Sequence, residues 1–143
     1  MTLDNLIGRS LERIPLDAAR VLRLLEAASA SIHDASLPAL SNEGRFDLAY
    51  KAIVQLANAA LQAKGFRTLT SRPGHHQTML QTLPITVGID SHTLIVLEQL
   101  RKQRNVIDYA GDTVSDSMAQ EAVQQARALR KSVDDALRLQ GLA

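Results

Sequence analysis

Apolar residues recur along this chain at helical spacing in several blocks, and prolines, glycines and short polar stretches separate the blocks. A first short helix is expected from about Leu3 to Arg13, with Thr2 as its N-cap and Pro15 beyond its end. Val21, Leu24, Leu25 and Ala28 stand at i, i+3, i+4 and i+7 and give a helix over about 16–35 one apolar stripe. Pro38 stops it, and residues 36–42 form a polar connection. Over about 43–64 the residues Phe46, Ala49, Tyr50, Ile53, Leu56, Ala57, Ala60 and Leu61 share one helical face, and Gly65 follows where a left-handed cap belongs. The pattern then fails through Phe66 to Gly74, where Ser71, Arg72, Pro73 and Gly74 read as a loop. A short helix over about 75–83 ends before Pro84, and 85–90 is a turn or a second short helix. Asp90 or Ser91 caps a helix that runs to about Asp108 with Leu94, Leu97, Leu100 and Ile107 inward. The last helix follows a break at 110–113; Ser117 with Gln120 matches a capping box, and Ala122, Ala126, Leu129, Val133 and Leu137 carry its stripe to about Gln140. No segment alternates with period two over β-branched residues, so no sheet is expected. The prediction is an all-α, up-and-down helical bundle of about five helices.

Length and composition narrow this picture. A chain of 143 residues that is 45% hydrophobic makes one compact domain, residues 1–143, and rules out disorder as the main state. Zero cysteines exclude disulfides, a thiolate nucleophile, iron–sulfur clusters and sulfur-built zinc sites. Only 3% of residues are aromatic, which weighs against modules that stack several bases. A net charge of +1 provides no broad field for duplex DNA. The longest aliphatic run, Leu94–Leu97, is far short of a membrane span, and no targeting signal is legible, so a cytoplasmic protein without membrane contact is expected.

Arg104 is the singular residue. It falls on the same side of its helix as Leu97, Leu100 and Ile107, so a guanidinium sits on a stripe that otherwise points inward. Such a charge must be paired or lie in a cleft. One reading is a structural pair with Asp108 at i+4, assisted by Glu98 or Asp47; the other is a fork for a phosphate. Arg101, Lys102 and Arg104, together with Arg127, Arg130 and Lys131 of the last helix, are either a solvated face or, if the two helices pack antiparallel, one positive groove for single-stranded RNA or a nucleotide. The histidines give no metal spacing: His75 and His76 point about 100° apart, and His33 and His92 lie on other helices. His75 and His76 serve either the start of their helix or a site beside Arg104. No serine elbow and no glycine-rich phosphate loop is present, and no cofactor is expected.

The run Leu100-Arg101-Lys102-Gln103-Arg104-Asn105-Val106-Ile107-Asp108-Tyr109 resembles the signature of HEPN domains, small helical bundles whose motif is an Arg, often followed by a polar residue such as Asn, and then a His after four to six spacers. The Ala-rich helix with Ala49-Tyr50, the run Gly74 to Leu80 and the long final helix extend the likeness over about Arg45–Leu137, about two thirds of the chain. The helical pattern sets N-terminal helices over 1–40 before a HEPN-like core over 43–140, and the resemblance implies the fold of that core, a homodimer and an RNA-related role. In ribonuclease members the Arg and His of two protomers meet at the dimer interface and cut RNA. Here Tyr109 stands at the position of the His, and a phenol is a poor general base beside an imidazole. Gly111 stands where toxin members that are silenced by nucleotidylation carry a Tyr. Tyr109 is read either as a partner of Arg104 or as a core aromatic.

The resemblance therefore implies a nucleotide- or RNA-binding protein, weak or inactive as a ribonuclease, and the substrate-binding or toxin partner of a small nucleotidyltransferase. Its catalytic candidates are Arg104 and Tyr109. Ligand contacts are expected from Arg101, Lys102, Arg104, Asn105, Arg127 and Arg130, with Asp108, His75 and His76 in support. The alternatives are an active ribonuclease toxin and a non-catalytic helical adaptor.

Overall fold

In the computed structural model, which describes residues 2–71 and 73–142, the chain is an all-α helical bundle with one small sheet. Its elements are a 3-10 turn (Asp4–Leu6), β1 (Leu11–Arg13), α1 (Ala18–Ala35), α2 (Asn42–Ala63), β2 (Phe66–Thr68), α3 (His75–Gln81), α4 (Leu83–Thr86), α5 (Ser91–Ala110) and α6 (Asp116–Leu139). Arg72 of the expected 71–74 loop lies outside the described residues.

α2 is the central helix. Ser41 caps it by accepting from the Gly44 N–H at 3.0 Å. Buried Ala52, Ala59 and Ala63 lie off the predicted stripe, so α2 is covered on more than one side, by α1 and α6 above all. Small alanines let those helices approach closely. Side-chain links set the directions. Ser31 of α1 reaches Gln55, and Arg45 donates to the Ala35 carbonyl at 3.1 Å, so α1 and α2 are antiparallel. Arg104 of α5 meets Asp47 near the start of α2, and Gln140, just past α6, donates to the Ala63 carbonyl at the end of α2. The four long helices thus run up, down, up and down. α3 and α4 bridge α2 and α5 and send Met79, Leu80 and Leu83 into the core.

Three expectations change. Residues 3–13 do not form the expected α-helix, only the 3-10 turn and β1, and the chain does contain a sheet. β1 and β2 pair antiparallel with Leu11 opposite Thr68, Glu12 opposite Arg67 and Arg13 opposite Phe66. Gly8 takes φ +81°, which turns the chain out of any helix through 3–13. Leu11, Phe66 and Leu61 then form a second small core, with Leu3 and Leu6 against it. Ion pairing of Arg67 with Glu12 covers the outer face. The cap of α6 is Ser115, which accepts from the Met118 N–H at 3.2 Å; Ser117 and Gln120 form no capping box, and the Gln120 amide donates to Asp116 instead. α5 continues past Asp108 to Ala110, ending at Gly111 with φ +69°. Among the described residues no helix is long and apolar enough to cross a membrane.

Candidate polar site between α2, α3 and α5

α5 buries Leu97, Leu100 and Ile107 and packs Leu94 against the core, and its polar side chains Arg101, Arg104, Asn105 and Asp108 line the grooves beside α2 and α3. Arg104 is held by two carboxylates: its Nη1 donates to Asp47 and its Nε donates to Asp108 Oδ2 at 3.1 Å. The structural ion pair is therefore formed, with Asp47 as the second partner. Glu98 belongs to another pair. It accepts from Arg101 at 3.0 Å, with the two side chains 17% and 16% exposed, and its Oε1 is buried without a hydrogen-bond partner among the described residues.

Tyr50 lies between these pairs. Its ring is buried, and burial pushes the phenol up to about 12, with Arg101 and Arg104 acting in the opposite direction. The sequence reading placed Tyr50 on the core stripe of α2 and missed it as a site residue. A phenol on a buried stripe needs polar company, which was the one available signal. The His76 ring packs 6.1 Å from Tyr50 and 4.7 Å from His75, centroid to centroid.

Two grooves flank Tyr50, His76 and Asn105, which line both. One, of about 520 Å³, takes in Asp47, Lys51, Arg104 and Asp108. The other, of about 370 Å³, takes in His75, Gln77, Arg101 and Tyr109. Tyr109 is 91% exposed, so it is not a core aromatic. Because α5 stays helical through Ala110, Tyr109 sits about 140° around the helix from Arg104 and the two face different grooves. Within one chain they do not form a pair.

Other expected contacts are dispersed. Lys102 faces the connection to α6, beside Asp112 and Met118. Arg127, Arg130 and Lys131 line a separate hollow with Ile32 of α1, and Arg127 donates to Ser36 at 2.6 Å. The two basic clusters do not merge, since α6 packs its stripe on α2 and α1 and turns its basic flank toward α1. Among the described residues no group of three or more metal-binding side chains gathers.

Charge at the site is balanced: Lys51, Arg101 and Arg104 stand against Asp47, Glu98 and Asp108. A ligand would be held by stacking and directed hydrogen bonds more than by a positive field. Partial burial of its ring, then His75, Arg104 and Arg101, lower the His76 pKa below its ordinary 6.5. The unfolded imidazole takes up a proton as pH falls through 6.5, and the folded one only at lower pH. The stability linked to this group is full above 6.5 and is lost as pH falls through the folded value. In urea titrations at about pH 7 and about pH 5.5, His76→Gln should lose less stability on acidification than the parent. Equal losses would contradict this assignment.

Comparison of the chain with family models, with curated proteins and with solved structures finds no match.

Proposed function

We propose that this chain is a HEPN-like helical protein that binds a nucleotide or a short single-stranded RNA segment in the groove between α3 and α5, with weak or no ribonuclease activity. Its expected partners are a second copy of itself and a small nucleotidyltransferase. One observation carries the reading: His75, His76, Arg101, Asn105 and Tyr109, each singled out from the sequence, line one groove around Tyr50. Exposed Tyr109 offers a face on which a base can stack, and the amide and guanidinium beside it suit a base edge and a phosphate. Weak hydrolysis follows from Arg104, whose guanidinium is engaged by Asp47 and Asp108 and lacks the motif's imidazole.

The test is fluorescence anisotropy with a labelled oligouridylate and, separately, with a labelled adenine nucleotide. Tyr109→Ala should weaken binding roughly tenfold, the loss of one stacked base, and leave the melting temperature unchanged because the ring is exposed. Parent protein that binds neither probe would overturn the reading in favour of the adaptor.

A further inference from the structure

The groove between α3 and α5 and its neighbour between α2 and α5 meet on one ridge. Tyr50 of α2, His76 of α3 and Asn105 of α5 line both, so the two grooves share these side chains as a common wall. A guanidinium stands on each side: Arg101 lines the groove between α3 and α5, and Arg104 lines the one between α2 and α5. Both act electrostatically on Tyr50 and on His76. Carboxylates take Nε and Nη2 of Arg101 and Nε and Nη1 of Arg104, which leaves one nitrogen of each fork to donate to a further acceptor. Beyond the ridge each groove has an apolar surface, Tyr109 in one and the half-buried Leu48 and Val54 in the other.

We infer that the site takes two consecutive nucleotides of one RNA strand, with the linking phosphodiester on the ridge and one base in each groove. This rests on the nucleotide-binding reading of the groove between α3 and α5 and extends it into the neighbouring groove. The free oxygens of a phosphodiester accept hydrogen bonds, and the ridge offers donors from three helices with a guanidinium on either hand. Volumes of about 370 and about 520 Å³ each lie in the range of small-molecule pockets, so each groove can house a base of its own. Tyr109 gives one base an aromatic face, and Leu48 and Val54 give the other an apolar one.

Charge decides between a strand and a free nucleoside polyphosphate. The cations Lys51, Arg101 and Arg104 are matched by Asp47, Glu98 and Asp108, so the site holds no excess of positive charge. A triphosphate would crowd several negative charges beside those carboxylates, which repel them. A phosphodiester brings one charge and leaves most of the affinity to its two bases. A mononucleotide has one base, so it leaves one of the two grooves unfilled.

Calorimetric titration of the whole chain with adenosine monophosphate, adenosine triphosphate, ApA and ApApA, and with the matching uridine series, tests this. In the series that binds more tightly, the dinucleotide should bind roughly tenfold more tightly than the monophosphate, the gain of one more stacked base. The trinucleotide should add little to that, and the triphosphate should bind no more tightly than the monophosphate. In NMR spectra the dinucleotide should shift the Val54 methyl and Tyr109 ring signals along one binding curve. Val54→Glu, with unchanged circular dichroism, should bring the dinucleotide down to the affinity of the monophosphate; if that variant does not fold, the Val54 methyl shifts of the parent decide the point. Equal affinities of dinucleotide and monophosphate, a triphosphate that binds most tightly, a third nucleotide that gains as much as the second, or Val54 methyls that the dinucleotide leaves unmoved would overturn the inference and leave the groove between α3 and α5 as a nucleotide site. Failure of every probe to bind would overturn the inference together with the reading on which it rests.

Discussion

Phe46→Ala should lower the stability of this protein by roughly 3–5 kcal/mol, the cost of deleting a buried aromatic ring together with the cavity it leaves. Phe46 is fully buried on the central helix α2, in the principal core shared by α1, α2 and α6. The surrounding core is rich in alanine, including Ala49, Ala52 and Ala57 of the same helix, and alanine has no side-chain freedom with which to fill a hole. A domain's whole stability is about 5–15 kcal/mol, so this substitution removes a large part of it. In the urea titration that measures it, the midpoint should fall while the slope is kept. Phe46→Leu retains most of the volume and should cost much less. A loss below about 1 kcal/mol for the alanine variant would mean that the ring is not packed as described.

Arg101→Ala should destabilise the protein more than Arg104→Ala, although Arg104 is the residue that the sequence singles out. Arg101 and Glu98 are both less than a fifth exposed, and one oxygen of Glu98 already has no partner among the described residues. Removing Arg101 leaves a nearly buried carboxylate without compensation, a change worth about 3 kcal/mol or more. Arg104 is more open at 30%, and its partners Asp47 and Asp108 are 44% and 52% exposed, so water screens them and rehydrates them when the guanidinium is lost. Its removal should cost about 1 kcal/mol or less. Glu98→Leu combined with Arg101→Ala should recover much of the single-variant loss, because no unpaired charge then remains. Thermal and urea unfolding of the four proteins checks the order. If Arg104→Ala is the more damaging change, the pairing described around Tyr50 is wrong.

Helix periods, prolines and glycines were enough to locate the four long helices of the bundle, because a stripe at i, i+3, i+4 and i+7 and a chain-breaking residue act locally. The inward direction of Arg104 and its acid at i+4 were legible for the same reason. What lay beyond reach depended on residues distant in the chain. Leu3, Leu6 and Leu11 suit a helix when read alone, and only their meeting with Leu61 and Phe66 makes a strand of residues 11–13. Whether Asp47 or Glu98 would join Arg104 was open in the sequence, and the packing of α5 on α2 chose Asp47 and gave Glu98 to Arg101. That packing also turned Tyr50 from a core aromatic into the centre of a polar site. Separation of Arg127 and Arg130 from Arg101 came from the face that α6 lays on α2, which the period of its stripe does not specify. A period says which face of a helix is buried, but its neighbour in the bundle is decided by the fit of all the faces at once.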